Sequence, residues 1–162
     1  MTTESPAALM PEMPPTRWGD PAHATGLPEG VRDLVGLVFP IRETPARDDV
    51  AVPHVRLDEQ RIAELRGIVG AEHVVTDDDT RRRRTRGKST PDLLRQRAGD
   101  LADAPDVVVR PGDHDEVVAV LRHAGEHRIA VVPFGGGTAV TGGLVADRTG
   151  AAGVISLDLG RM

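Results

Sequence analysis

The residues best suited to chemistry lie in one run of eleven, Pro133-Phe134-Gly135-Gly136-Gly137-Thr138-Ala139-Val140-Thr141-Gly142-Gly143. Glycine loses more backbone freedom on folding than any other residue, so three in a row are costly to order. In return they offer positive φ and no Cβ. Successive N–H groups can then converge on an anion, and the hydroxyls of Thr138 and Thr141 add donors beside them. The run follows Ile129 to Val132, a β-branched stretch with the composition of a buried strand. Pro133 is expected to end that strand, because it lacks the N–H a ladder needs. The direct reading is a strand followed by a phosphate-cradling loop. A plain turn is the alternative, although two residues suffice to reverse a chain. Two nucleotide motifs fail here. A Walker loop needs Lys and Ser/Thr where Gly143 and Leu144 stand. The Rossmann fingerprint needs a small residue where Val140 stands, although Asp158 lies about 20 residues further on.

Other candidates are weaker. His123 and His127 are four apart, on one helix face, a spacing that suits a metal. No acidic third ligand is evident in the sequence, so no metal site is expected; both histidines more simply complement the negative end of a helix. His114 stands between two acids at a helix start. Asp77-Asp78-Asp79 runs directly into Arg81-Arg82-Arg83-Arg84. Such a run reads first as a solvated charged loop. Its functional alternative is phosphate recognition by Arg forks. Arg86-Gly87-Lys88-Ser89 resembles the end of a Walker loop, but Arg82 stands where the motif requires Gly. No serine nucleophile elbow or Ser/His/Asp set is present.

The elements that must position these residues can be read in order. Residues 1–28 are rich in Pro, Ala, Thr and Glu and are expected to form a disordered or extended arm. Trp18 is its one aromatic, expected to anchor the arm on the body. A short helix follows Pro28, with Val31, Leu34, Val35 and Val38 at helical spacing and Pro40 ending it. Leu57 to Val69 forms the clearest helix of the first half. Asp58 caps it, Ile62, Leu65, Ile68 and Val69 share a face, and Gly70 stops it. Thr90-Pro91-Asp92 starts another helix, with a hydroxyl cap and proline in the first turn. Val107 to Val109 reads as a buried strand. Asp113 and Glu116 form a capping box for a helix whose apolar face is Val117, Val118, Val120, Leu121 and Ala124. The order strand, helix, strand, glycine loop, strand implies parallel pairing with a right-handed crossover. The glycine loop then falls at the carboxyl end of a strand, where α/β sheets bind ligands. The fold class is α/β (α+β): a small sheet with helices, preceded by a helical or extended arm.

Composition sets limits. With 162 residues the chain makes one domain or part of one. A net charge of −5 argues against nucleic-acid binding, and 2% aromatics leave no stacking platform. There is no cysteine, hence no disulfide or thiolate chemistry. No secretory signal and no transmembrane stretch are evident. A cytoplasmic location is expected. The chain stops just after the strand-like Val154 to Asp158, so it reads as the N-terminal fragment of a longer protein.

Pro133 to Gly143 resembles the pyrophosphate loop of the FAD-linked oxidases of the vanillyl-alcohol-oxidase type, which carry a PCMH-type FAD-binding domain. Within them it is similar to the alkylglycerone-phosphate synthase branch. Gly87-Lys-Ser-Thr-Pro-Asp-Leu-Leu94, which leads into that domain, adds to the resemblance, as does Trp18-Gly-Asp20 ahead of it. The likeness covers the second half of the chain well and the first half thinly. It implies FAD as cofactor, held by the stretch Pro133, Phe134, Gly135, Gly136, Gly137, Thr138 and Ala139 through the backbone N–H groups that follow the proline, with Val140 and Thr141 in the loop and Gly142 and Gly143 completing the turn. Many members have Ser where this chain has Ala139. The family includes histidine-linked flavins; the matching position is not assigned in this sequence, and no covalent bond is implied.

The implied layout is residues 1–28 as arm, 29–100 as a helical lead-in and 101–162 as the first part of the FAD-binding domain. The function implied is the FAD-binding segment of a flavoenzyme. In the synthase branch the whole enzyme would exchange the acyl group of an acyl-dihydroxyacetone phosphate for a fatty alcohol, without net redox. In a sister branch it would oxidise a 2-hydroxy acid or an alcohol. Catalytic residues, and contacts to a small-molecule or lipid-precursor substrate, are expected beyond Met162. The fragment alone is expected to be inactive and to bind FAD weakly. A homodimer is left open. The competing class is a non-catalytic anion- or nucleotide-binding module, using Arg81 to Arg84 on a phosphorylated partner.

Overall fold

A computed structural model describes residues 13–42, 45–47 and 49–162. The expectation for residues 1–12 lies outside the described residues. Among the described residues there are five α-helices and four strands: α1 (Glu29–Gly36), α2 (Glu59–Val69), β1 (Val74–Val75), α3 (Asp78–Arg83), α4 (Thr90–Arg97), β2 (Val107–Val109), α5 (His114–Glu126), β3 (Ile129–Phe134) and β4 (Gly153–Asp158).

The strands form one sheet in the order β1-β2-β4-β3. β1 pairs antiparallel with β2; β2 and β3 each pair parallel with β4. The expected α/β class with a small sheet is therefore present. β4, the last strand, inserts between β2 and β3, and all six of its residues are buried. Strands covered on both faces read as near-continuous apolar runs, which is how Val107 to Val109 looks and how Val154 to Leu157 looks apart from the buried Ser156.

α2 and α5 pack together against the sheet. Ile62, Leu65 and Val69 from α2 meet Val120 and Ala124 from α5, over Val107, Val109, Ile129, Ile155 and Leu157. The ends of α2 are set locally. The Asp58 carboxylate accepts from the Arg61 N–H at 2.9 Å, and Gly70 leaves the helix at φ 91°.

Several expectations need correction. The strand does not stop at Pro133; it runs through to Phe134. β3 is an edge strand, and its ladder to β4 continues past the proline with Phe134 opposite Asp158. The cap of α4 is Ser89 rather than Thr90, its hydroxyl accepting from the Asp92 N–H at 3.1 Å. In the capping box of α5, Asp113 behaves as expected, but the Glu116 carboxylate reaches the Gly112 N–H at 2.7 Å. Val118 and Leu121 are 37% and 47% exposed, because only one stripe of α5 faces the sheet. α1 has no buried residue, and its apolar side chains face solvent among the described residues. Trp18 is half-exposed, so its indole is not a buried anchor. The arm's carbonyls at Pro14 and Arg17 instead accept from the Lys88 ammonium, the latter at 2.9 Å.

The charged run also folds differently from its reading as a solvated loop. Asp77 caps α3 by accepting from the Thr80 N–H at 2.9 Å, and two of the four arginines are buried. Arg81 donates to the carbonyls of Pro105 at 2.8 Å and Pro53 at 2.5 Å, and to Asp78 at 3.1 Å. Arg82 donates to the Val50 carbonyl at 2.5 Å, and Arg83 to Asp79 at 2.9 Å. These guanidiniums join the connector before α2 to the segment before β2. Guanidinium donors outnumber what one acid can accept, so they suit orphan carbonyls of irregular backbone.

Candidate functional site: the glycine loop at the carboxyl end of β3

β3 delivers the chain into the loop. Pro133 and Phe134 are its last residues, and the Phe134 carbonyl accepts from the Leu159 N–H at 2.9 Å. The Phe134 ring is buried below the loop. The Arg84 guanidinium stacks on it, 4.6 Å from the ring centroid. The same guanidinium donates to Asp158 at 2.8 and 3.1 Å. Asp158, the acid about 20 residues past the glycines, thus serves to hold Arg84 under the loop. Arg84 is the one member of the charged run that reaches the site.

The three consecutive glycines have different reasons to be there. Gly137 sits at φ +67°, and a Cβ there would meet the Phe134 ring at 2.7 Å. Only glycine fits that backbone over that ring. Gly135 and Gly136 lie outside the left-handed region. A Cβ on Gly135 would meet nothing within 4 Å, and one on Gly136 only Thr138 Cγ2 at 3.9 Å. Neither position is explained by contacts within the chain.

The loop's far side is pinned to the Gly87 to Leu94 segment. The Lys88 N–H donates to the Ala139 carbonyl at 2.7 Å. Gly87 passes so close that a Cβ there would stand 2.1 Å from that carbonyl oxygen. Gln96, buried on α4, donates to the Gly87 carbonyl at 3.2 Å. Ala139 therefore contributes its carbonyl to the loop's own architecture. The return path from the loop is fixed by Asp106. Its carboxylate accepts from the N–H of Arg56 at 2.8 Å and of Val154 at 2.7 Å, and from Arg148 at 3.0 Å. Asp106 is 1% exposed, so these are charge-assisted bonds out of water's reach.

With its ends held, the loop leaves its own donors free. Among the described residues, no backbone N–H from Gly135 to Thr141 donates to a protein acceptor, nor does the hydroxyl of Thr138 or Thr141. Val145 N–H closes the turn on the Gly142 carbonyl at 3.2 Å. Gly135, Gly136, Thr138, Val140, Thr141 and Gly143 are exposed, while Gly137 is buried. Seven unpartnered amides in a row, two bare glycines among them, make a donor set suited to an anionic bridge such as a diphosphate. The residues therefore fit FAD's pyrophosphate. Lys88 adds no charge to the open face. It is buried, and burial lowers its pKa to about 8. Two recesses lie elsewhere, one lined by Pro15, Thr16, Arg47, Arg82, Gln96 and Leu101, the other by Pro15, Asp78, Asp79, Arg82 and Arg83.

His114 opens α5 and is exposed. His123 and His127 stack edge-on with ring centroids 4.6 Å apart. Contrary to the sequence reading, an acid is at hand: Glu64 of α2 faces both. Sequence spacing could not reveal it, since the partner lies on another helix. The Gly87–Ala139 contact was equally hidden, although the Gly-Lys-Ser-Thr motif flagged one side of it. Among the described residues no helix is long and apolar enough to cross a membrane.

Comparison with known proteins is consistent with this geometry. Residues 105–162 match the family described as FAD binding domain, a span that runs from the lead into β2 through β4 to Met162. Protein Rv2250A of Mycobacterium tuberculosis is 40% identical over 108 residues, covering 64% of this chain and 72% of that protein. Alkyldihydroxyacetonephosphate synthase of Trypanosoma brucei brucei is 38% identical over 102 residues, covering 62% of this chain but 17% of the synthase. A solved structure of an alkyldihydroxyacetonephosphate synthase superposes with a TM-score of 0.70 at 26% identity, over 82% of this chain and 26% of that one. The chain thus spans about a sixth to a quarter of these synthases. The cofactor of this family is FAD. Residues 105–162 thus belong to the FAD-binding domain family, and the chain is similar to the alkyldihydroxyacetonephosphate (alkylglycerone-phosphate) synthases.

Proposed function

We propose that the loop from Pro133 to Gly143 holds the FAD pyrophosphate, and that this chain is the N-terminal FAD-binding segment of an alkyldihydroxyacetonephosphate synthase-like flavoenzyme. The observation that carries this reading is the set of seven loop amides without a partner among the described residues, at the carboxyl end of β3. Gly135 and Gly136 support it, because nothing within the chain requires their missing Cβ atoms. The role of the chain is to bind and orient. Phe134, Arg84 and Asp158 support the loop from below, Lys88 N–H fixes its far side, and the free amides face the diphosphate. Bound flavin supplies the electron-accepting ring on which the substrate chemistry depends.

Residues that act on substrate are assigned to the part of the enzyme outside these 162 residues, and the substrate class is an acyl-dihydroxyacetone phosphate. The module reading, with Arg81 to Arg84 on a phosphorylated partner, is less favoured. Arg81, Arg82 and Arg83 already donate to protein carbonyls and carboxylates, and Arg84 to Asp158.

The test is Gly136→Asp in the flavoenzyme that contains this segment. A carboxylate placed among the amides satisfies them internally and repels the diphosphate. The variant should fold but purify without the flavin absorbance bands. Retention of stoichiometric flavin would overturn the loop assignment.

A further inference from the structure

α2 and α5 are pressed together by the core, and three metal-capable side chains meet at one end of their interface. His123 lies in the last turn of α5 and His127 caps its carboxyl end, and Glu64 reaches across from α2. Glu64 Oε2 lies 3.8 Å from His123 Nε2 and 4.0 Å from His127 Nε2. The three ligand atoms lie within 4.8 Å of one another. The His123 side chain is 10% exposed, and its Nε2 is buried without a hydrogen-bond partner. Leaving a buried imidazole nitrogen unpaired is costly, so it calls for a group to fill the gap. His127 and Glu64 are more open, at 29% and 36%, which gives an ion a path from solvent.

We propose that Glu64, His123 and His127 form a binding site for a divalent transition-metal ion of the Zn²⁺ class, which fastens α2 to α5. Two imidazoles and one carboxylate are a familiar zinc donor set, with a water completing the tetrahedron. Ligand bonds of about 2.0–2.2 Å put neighbouring ligand atoms roughly 3.4 Å apart. The present separations need only small side-chain rotations to close to that spacing. His123 suits the role, since burial and the neighbouring His127 lower its pKa and favour the neutral, ligating form.

One cation competes for the same acid. Arg61 pairs with Glu64 at 2.7 Å and approaches His127 Nε2 at 3.4 Å. Gln60 also donates to Glu64, at 3.1 Å. The Arg61 side chain is partly exposed and can leave toward water when the ion enters. The competition sets a sign that a merely structural cluster would not give: removing Arg61 should tighten binding.

The experiment is calorimetric titration of the chelator-treated chain with ZnCl₂, with Co²⁺ visible absorption as a second readout. One equivalent should bind, and the thermal midpoint should rise with free Zn²⁺. Glu64→Gln and His127→Ala, both on partly exposed positions, should weaken binding by more than the roughly 10-fold that follows loss of an outer-shell partner. Arg61→Gln should strengthen it. His114→Ala, at an exposed histidine away from the cluster, should leave it unchanged. Absence of saturable binding, or equal binding by wild type and the Glu64 and His127 variants, would overturn the site. The assay needs no flavin, so its outcome is independent of the loop's role.

Discussion

Replacing Gly136 by alanine separates a loop shaped for its own fold from one shaped for a ligand. The added methyl would meet only Thr138 Cγ2, at 3.9 Å, an ordinary van der Waals distance, and the backbone there is not in the left-handed region. Alanine at a compatible site reduces the freedom of the unfolded chain and stabilises by about 0.4–1 kcal/mol. For a chain of this size that is a rise of roughly 1–4 °C in the thermal midpoint. Binding should move the other way. A methyl on the face of the loop holds the diphosphate off the adjacent amides, and hydrogen bonds to a charged group contribute about 1.5–3 kcal/mol each. Loss of one such bond weakens FAD by about 10- to 150-fold. The assay is a pair of curves on one preparation: thermal unfolding without flavin, and quenching of flavin fluorescence on titration. The reasoning is refuted if Gly136→Ala lowers the flavin-free midpoint by several degrees, or if FAD binds as tightly as before.

Three further perturbations follow from the supports of the loop. Gly87→Ala would place a Cβ 2.1 Å from the Ala139 carbonyl oxygen; it should cost about 1–3 kcal/mol in urea unfolding and weaken FAD through the displaced loop. Asp106→Ala strands the buried N–H groups of Arg56 and Val154 and the Arg148 guanidinium; denaturant unfolding should report a loss of about 3–5 kcal/mol, with Asp106→Asn intermediate. Lys88 carries a pKa lowered by burial from 10.5 to about 8. Between those values the unfolded chain binds more protons than the folded one, so this residue's contribution to stability rises with pH across about 8–10.5 and is flat below. In wild type against Lys88→Met, the stability of wild type relative to the variant should increase over that window; a difference independent of pH would contradict the burial argument.

What the sequence disclosed, and what it hid, divides by the range of the interaction. The ends of α2 were legible because a cap is a contact three residues long: Asp58 to the Arg61 N–H, then Gly70 at positive φ. The loop's position after β3 was legible for the same reason. Arg81 and Arg84 were misread as solvated because their acceptors, Pro105, Pro53 and Asp158, are 24 to 74 residues away. The strand persists through Pro133 because its edge position in the sheet comes from β4, which is threaded in from the end of the chain. Glu64 escaped notice beside His123 and His127 because α2 and α5 meet only in the tertiary core. The three glycines looked alike in sequence; the positive φ of Gly137 and the Phe134 ring beneath it distinguish that one from its two neighbours.

The most direct measurement is an amide-resolved NMR titration of this chain with FAD. The account predicts that the resonances of Gly135 through Thr141 move first and farthest, downfield as free N–H groups acquire phosphate acceptors, while those along α3 stay in place. If the loop amides stay still while FAD binds, or if the shifts gather around Arg82 and Pro15 instead, the loop does not hold the diphosphate.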